Sequence, residues 1–500
     1  MNPAPLPTTE LPTAAADRPA VPRLARLWQK LGPQFLPFAD AASASLPLGR
    51  LLRLSLFQVS VGMAYALMVG TLNRVMILEL AMPAWVVALM VALPLLVAPW
   101  RARIGFRSDT HLSALGWRRV PYLWFGSLLQ FGGLSIMPFA LVLSTTGGQF
   151  GTLGLGTGHA AAALAFLLVG AGMQTTQTAG LALATDLAPP DTRPRVVALM
   201  YLMLLLGMGL SSLALGWVLR DFTPTRLVQV VQGAAVLTML LNGIALWKQE
   251  PRGRRLPAAA AEAPLDFGAA WRSFAGQPGT RRFLVAVGLG TAAFNMQDIV
   301  LEPYGGAILQ LPVGATSQLT ALVAGGSLLA FWLAARQLRQ GADPHRLAAW
   351  GALVGVVAFA AVIFAAPLQS PALFRAGSAL IGLGGGLFAV STLLVAMGLA
   401  RAGQAGLALG AWGAVQATTA GAAVALGGTL RDAVSALGQH GWLGTALSDP
   451  SVGYSVVYHL EIALLFGTLI AIGPLVRSPG RAAPRPAAPP QPFGLAEFPG

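Results

Sequence analysis

The sequence predicts an all-α polytopic membrane protein with twelve transmembrane helices in two six-helix halves. Composition and the spacing of apolar stretches carry this prediction. Of the 500 residues, 55% are apolar and only 10% are charged, whereas a soluble domain carries about 25% charged residues. Disordered chains and disulfide-rich scaffolds are excluded as well, because this chain is strongly apolar and has no cysteine.

Twelve apolar stretches are long enough to cross a hydrocarbon core of about 30 Å, which takes about 20 helical residues. They are predicted at 54–78, 84–100, 119–143, 160–185, 196–219, 227–247, 283–303, 315–335, 347–367, 372–399, 404–430 and 455–476. The first six occupy 54–247 and the last six occupy 283–476, so the two halves are equal in length. Equal six-helix halves joined by a polar segment resemble the layout of the major facilitator fold.

The basic residues predict the orientation of the chain, because Lys- and Arg-rich loops stay on the cytoplasmic side of a membrane. With a cytoplasmic N-terminus, 27 of the 32 Lys and Arg residues fall in cytoplasmic segments and three in outer loops. Both termini are therefore predicted to be cytoplasmic. The net charge of +14 is dispersed between apolar stretches, which argues against nucleic-acid binding.

The segments outside the spans are predicted to comprise a short surface helix, a linker and two disordered tails. Leu24, Leu27, Trp28 and Leu31 recur at helical spacing with basic residues between them, which predicts a short helix on the lipid surface or on the cytoplasmic loops. The predicted divisions are a disordered tail at 1–22, a cytoplasmic interfacial segment at 23–53, the halves at 54–247 and 283–476, a cytoplasmic linker at 248–282, and a disordered Pro-rich tail at 477–500.

The seventh span carries polar residues where they are costly in lipid. They lie in its outer half: Asn295, Gln297, Asp298, Glu302 and Tyr304. Asp298 and Glu302 are four residues apart and are expected to share a helix face. Two such carboxylates repel, so a proton, a cation or an arginine such as Arg375 of the tenth span is expected to neutralise them.

The first and twelfth spans also hold polar residues. In the first span these are Gln58, Asn73 and Arg74, and Arg74 is expected to snorkel to the outer surface. In the twelfth span His459 and Glu461 are expected to face a partner or lipid, because this span lies outside the central cavity in a major facilitator layout. A neutral His459 could ligate the magnesium of a chlorin, or could simply be an interfacial polar residue.

The loop between the second and third spans is a candidate conformational latch. It contains Gly105, Arg107, Asp109, Gly116, Arg118 and Arg119. The pattern resembles a stretched form of the major facilitator loop G-x-x-x-D-R-x-G-R-R, without the Arg after the Asp. An aspartate there can accept from a helix N-terminus while the arginines pair with acids and lipid phosphates. The loop does not identify a substrate.

Longer stretches resemble the bacteriochlorophyll delivery family, the PucC and LhaA proteins of the major facilitator superfamily. The similarity covers nearly all of residues 35–476. The stretches that carry it are Pro37-Phe38-Ala39-Asp40, residues 51–63, Gly70-Thr71-Leu72-Asn73-Arg74-Val75-Met76, Met296-Gln297-Asp298, residues 301–306 and His459-Leu460-Glu461. The N-terminal part resembles the LhaA members more than the PucC members.

The resemblance implies an assembly factor for light-harvesting antennae in the intracytoplasmic (inner) membrane of a purple bacterium. Its cargo would be bacteriochlorophyll and its partners the antenna α and β polypeptides, with the reaction centre and pigment-biosynthesis enzymes as further partners. The closer resemblance to LhaA implies that the antenna assembled with its help is the core antenna around the reaction centre.

Two other functions remain open from the sequence. The first is a proton- or solute-coupled transporter in which Asp298 and Glu302 titrate. The second is a docking scaffold for antenna subunits that carries no cargo. No Walker loop, nucleophile elbow or HExxH pattern is present, and the protein is not expected to be an enzyme or to hold a resident metal ion.

Overall fold

The computed structural model describes residues 46–96, 117–145, 155–189, 192–250, 276–399 except 278, and 405–476 except 441, 443, 445, 446 and 448. All regular secondary structure in this part of the chain is helical. The α-helices are α1 (Leu48–Leu54), α2 (Leu56–Tyr65), α3 (Ala84–Leu96), α4 (Val120–Thr145), α5 (Leu155–Leu187), α6 (Arg193–Val218), α7 (Pro224–Leu246), α8 (Thr280–Met296), α9 (Leu301–Ala307), α10 (Val313–Arg339), α11 (Pro344–Ala365), α12 (Pro371–Gly398), α13 (Ala405–Gln439) and α14 (Val452–Ile472).

Within these residues, ten helical segments are long and apolar enough to cross a membrane. This confirms a polytopic helical membrane protein. The second and eleventh predicted spans are helical too, at Ala84–Leu96 and Ala405–Gln439. The predicted tails at 1–22 and 477–500 and the helix around Leu24 to Leu31 lie outside the described residues and stay predictions.

The two halves meet along two pairs of helices, α6 with α10 and α3 with α13. Glycine permits both approaches. A Cβ added to Gly314 of α10 would lie 2.4 Å from the carbonyl oxygen of Gly216 in α6, and one added to Gly428 of α13 would lie 2.7 Å from that of Ala84 in α3. Small residues let membrane helices gain close van der Waals contact, where no hydrophobic effect drives them together.

The first membrane-crossing helix is irregular in its outer part. Beyond α2 the chain continues through two π-helical segments, Ala66–Leu72 and Val75–Glu79. Such wide turns are rare and frequently occur at functional sites. Here they accompany a run of polar residues that face the other half of the molecule.

The seventh predicted span is broken, and Pro303 explains why. α8 ends at Met296, a 3-10 turn covers Gln297–Ile299, and α9 begins at Leu301. Proline has no N–H, so Pro303 cannot donate to the carbonyl of Ile299 as an ordinary helical residue would. A donor from elsewhere in the protein must satisfy that carbonyl, because the hydrocarbon supplies none.

Polar contacts connect the ends of several helices of the first half. The carboxylate of Glu250 accepts from the backbone N–H groups of Arg118, Arg119 and Val120, and so caps α4. The Arg119 side chain donates to Asp186 at 3.1 Å. Lys248–Glu250, which the sequence assigned to the linker, therefore pack against the first half. Gly105, Arg107, Asp109 and Gly116 of the candidate latch lie outside the described residues.

The predicted orientation can be tested by single-cysteine labelling, since the chain has no cysteine of its own. Gln340→Cys lies between α10 and α11, and Leu368→Cys lies at an exposed position between α11 and α12. In intact spheroplasts a membrane-impermeant maleimide is expected to label Leu368→Cys at once and Gln340→Cys only after lysis. The reverse order would place the termini outside.

Candidate functional site

A cavity of about 470 Å³ lies between the two halves. Its walls come from α2 and the π-helical segment after it, α3, α5 and α6 in the first half, and from α8, α9, α10, α12 and α13 in the second. Residues of α4, α7, α11 and α14 are absent from the walls that the structure describes. The position of α14, the twelfth predicted span, outside these walls matches the layout expected from the sequence.

The cavity wall is mostly apolar, with polar groups on several sides. The apolar part includes Met68, Leu204, Met208, Phe294 and Ile381. The polar lining residues are Tyr65, Gln174, Gln177, Asn295, Gln297, Asp298, Glu302, Thr320, Ser327 and Gln416. A pocket of this size, with apolar walls and a few polar groups, is typical of sites for small organic molecules.

Asp298 joins the two halves at the cavity. The hydroxyl of Tyr65 in α2 donates to its Oδ2 at 3.0 Å, and the amide of Gln297 donates to its Oδ1. Sequence reasoning missed Tyr65, because its contact with an aspartate 233 residues away is visible only in the folded structure. Gln174 and Gln177, three residues apart in α5, were also missed; their amides in an apolar helix could have been found from the sequence.

Glu302 lies nearby on the same wall. Thr320 of α10 donates to its Oε1 at 2.9 Å, while its Oε2 has no hydrogen-bond partner among the described residues. A Cβ added to Gly70 would lie 2.6 Å from Oε1 of Glu302. Glycine at this position therefore lets the first helix pass directly over the carboxylate.

Asn73 supplies the donor that Pro303 removes. Its side-chain amide donates to the carbonyl of Asp298 at 3.0 Å and to that of Ile299 at 3.1 Å. Asn73 is fully buried. The amide of the first helix thus satisfies the exposed backbone of the broken seventh helix, which positions Asp298 and Glu302 against the first half.

The prediction for Arg74 is wrong, and Arg375 is excluded as the candidate arginine. Arg74 does not snorkel to the surface but is buried, with Nη1 2.7 Å from Glu79 Oε1 and Nη2 donating to the carbonyl of Leu311. Arg375 is exposed at the outer end of α12 and does not neutralise the buried carboxylates. Arg74 is the cation that faces Glu302.

Glu461 was expected to face a partner or lipid, and this is also wrong. It is fully buried, and neither carboxylate oxygen makes a hydrogen bond of good geometry with a described residue. The groups that face the Glu461 carboxyl are the backbone N–H of Gln297 and the carboxylate of Asp298. Glu461 therefore stands behind the broken helix, on the face of α14 that points into the protein.

Aromatic rings surround this outer part of the second half. The ring of Tyr304 lies 5.5 Å from that of Tyr454 and 5.6 Å from that of Tyr458, and its hydroxyl donates to the carbonyl of Val362. Arg431 donates to the hydroxyl of Tyr454 at 2.8 Å. Tyr304 thus contributes packing to the site and does not line the cavity.

The remaining residues that the sequence singled out lie at separate places in the structure. Gln58 is buried in α2, and its side-chain amide has no hydrogen-bond partner among the described residues. Asn295 lines the cavity and donates to the carbonyl of Thr291 in its own helix. His459 is exposed on α14, away from the cavity. Among the described residues, no group of three His, Cys, Asp or Glu side chains could hold a metal ion, and no histidine lines the cavity.

Comparison with solved structures defines the class of protein. The chain has the major facilitator fold of membrane transporters, although sequence identity to these structures is low. An auto-inhibited POT family peptide transporter superposes with a TM-score of 0.62 at 14% identity, covering 87% of this chain and 99% of that one. The nucleoside transporter NupG superposes with a TM-score of 0.59 at 13% identity, covering 85% and 99%.

Sequence comparison then gives the family. The family model described as PUCC protein matches residues 71–480, and the chain belongs to this family. Protein PucC of Rhodovulum sulfidophilum is 57% identical over 81% of this chain and 89% of its own length. A protein of Rhodobacter capsulatus described as lying in the puhA-bchM intergenic region is 56% identical over 95% and 99%. The bacteriochlorophyll synthase 44.5 kDa chain of R. capsulatus is 29% identical over 74% and 85%.

The role of Asn73 can be tested by thermal denaturation in detergent. Asn73→Ala leaves two buried carbonyls without a side-chain donor, and hydrogen bonds in membrane proteins contribute about 0.6 kcal/mol each on average. We expect a loss of about 1–2 kcal/mol and a lower Tm. Asn295→Ala is the control, since that amide bonds only within its own helix. An equal Tm for both variants would contradict the role given to Asn73.

Proposed function

We propose that this protein is an assembly factor for bacterial light-harvesting antennae that holds bacteriochlorophyll and delivers it to the antenna α and β polypeptides of the core complex. Membership of the PUCC protein family supports the link to antenna assembly. The observation that carries the delivery role is the cavity between the halves, which is lined mainly by apolar side chains and has polar groups on several sides, including the broken seventh helix.

The cavity suits a large apolar ring with a few polar substituents. Met68, Leu204, Met208 and Phe294 supply flat or adaptable apolar surface, and methionine in particular fits irregular ligands. Amide and carboxyl groups of Gln174, Gln177, Gln297 and Asp298 can meet carbonyl groups or a magnesium-bound water of the pigment. When bound, the chlorin would supply the Lewis-acidic magnesium; the protein would supply orientation and exclusion of water.

The name of the 29% identical relative, a bacteriochlorophyll synthase chain, supports a link to this pigment. We place the protein in the intracytoplasmic (inner) membrane with both termini cytoplasmic, which the arginine distribution supports. The resemblance of the N-terminal part to LhaA members favours the core antenna over the peripheral one. The reaction centre and pigment-biosynthesis enzymes are proposed as further partners.

A cavity-filling substitution tests pigment holding. Gly385 lines the cavity, and the three atoms nearest to an added Cβ all belong to Phe294, at 3.4–3.8 Å, which is ordinary van der Waals contact. Gly385→Leu should therefore fold but fill the cavity, and we expect less bacteriochlorophyll per protein after purification from pigmented cells, with slower accumulation of core antenna. Pigment is measured by solvent extraction and absorption.

The matched control is Gly233→Leu on α7, where an added Cβ meets no atom within 4 Å and the position faces outward. It should keep the pigment content of the unmodified protein. Absence of both bacteriochlorophyll and antenna polypeptides from the unmodified preparation would contradict the proposal. Antenna polypeptides without pigment would favour a docking scaffold.

A coupled transporter is the second candidate, because Asp298 and Glu302 line the cavity of a transporter fold. It predicts uptake of bacteriochlorophyllide into vesicles that responds to a pH gradient and is lost in Asp298→Asn. Asp449→Asn is the control, since Asp449 lies in an exposed outer loop. Flux that ignores the gradient, or no flux at all, would rule this candidate out.

A further inference from the structure

His459 lies on the membrane-facing side of α14, apart from the central cavity. It is the eighth residue of the helix and so lies about 10 Å along the axis from Val452, at 1.5 Å per residue. The side chain is exposed. A polar ring at this depth in lipid is costly unless both of its nitrogen atoms have partners.

Only one nitrogen of the ring has a partner within the described part of the chain. Nδ1 lies 2.7 Å from the carbonyl oxygen of Ser455, one turn earlier in the same helix. A carbonyl can only accept, so Nδ1 carries the proton. In a neutral imidazole the other nitrogen, Nε2, is then an unprotonated lone pair. Histidines that bind metals commonly donate their second N–H to a backbone carbonyl in this way, which fixes the ring.

The residues that share this face of α14 with His459 are exposed and apolar. The outward stripe of α14 consists of His459, Ala463, Phe466 and Ile470, at the i, i+4, i+7, i+11 spacing of one helix face. Ala463, one turn beyond the imidazole, leaves room beside it. Phe466 and Ile470 are 52% and 71% exposed, so apolar surface continues along the helix.

We propose that Nε2 of His459 is an axial ligand for the magnesium of a bacteriochlorophyll docked on this stripe. The inference rests on the proposed function and deepens it by adding a second pigment position at the lipid-facing surface. Bacteriochlorophyll is a flat apolar macrocycle with a Lewis-acidic magnesium at its centre, and it would satisfy both features of this site. Its magnesium would accept the lone pair of Nε2, and its macrocycle would cover the apolar stripe. A single axial bond is readily exchanged, which suits release to a partner helix.

The central cavity cannot provide the same ligation, because no histidine is among its lining residues. The two pigment positions should therefore differ in their axial ligand. Pigment in the cavity would meet amide, carboxyl or water oxygen, whereas pigment on the stripe would meet imidazole nitrogen. The difference separates the two positions spectroscopically.

The experiment compares proteins purified from pigmented cells: unmodified, His459→Ala, His459→Gly and His440→Ala. His440 is an exposed histidine at the end of α13 and serves as the matched control. Pigment per protein is measured by extraction, and axial ligation by resonance Raman and by the Qx absorption band. We expect His459→Ala to lose the imidazole-ligated population and His440→Ala to keep it.

Chemical rescue provides a second measurement. Free imidazole added to His459→Gly should restore the imidazole-ligated band, which a purely structural role of His459 would not do. Gly385→Leu should keep this population while losing the cavity population.

Retention of the ligated band in His459→Ala overturns the inference and leaves the proposed function intact. Loss of antenna polypeptides from His459→Ala with unchanged pigment also overturns it, and shows that the stripe docks protein. A pigment-free unmodified protein overturns the proposed function and this inference together.

Discussion

The requirement that every backbone carbonyl in a membrane find a donor within the protein governs the centre of this molecule. Pro303 deprives the carbonyl of Ile299 of its helical partner, and the 3-10 turn before it opens the seventh helix. Asn73 crosses from the other half to donate to Asp298 and Ile299. Because this bond is between halves, the local break in one helix also sets how the two halves are positioned.

Several other polar contacts between the halves are found toward the same side of the membrane. Tyr65 donates to Asp298, Thr71 pairs with Ser317 at 2.9 Å, and the backbone N–H of Trp85 donates to Asp432 at 2.9 Å. Among the described residues, Glu250 and Arg119 bond within the first half, and Ala198 of α6 belongs to one buried apolar cluster with Ala330 and Ala334 of α10. The halves are therefore joined by polar contacts at the broken seventh helix and by apolar packing farther along α6 and α10.

Asp298 in the broken seventh helix and Glu461 in α14 are two carboxyl groups of the second half that lie close to each other. Asp298 lines the cavity, and Glu461 stands behind it without a hydrogen-bond partner among the described residues. Two residues earlier on α14, His459 points the opposite way. One turn of α14 thus presents a carboxylate to the interior and an imidazole to the membrane.

Much of this organisation could be predicted from the sequence. Apolar length identified the membrane-crossing helices, and the rarity of polar side chains in them singled out Asp298 and Glu302, which the structure places on the cavity wall. The contacts that these residues make with other helices could not be predicted in the same way. Periodicity shows which face of a helix a residue occupies, but it does not say which helix that face will meet.

The corrections follow from that limit. Arg74 was expected at the surface, and Arg375 was one candidate to neutralise the carboxylates, yet Arg74 is buried with Glu79 and Arg375 is exposed. By itself the sequence determined the class of protein, its helices and the scarcity of charge within them, because these depend on local composition and length. Only the tertiary structure decided that Asn73 meets Ile299, 226 residues away, because such a contact depends on how the two halves pack against each other.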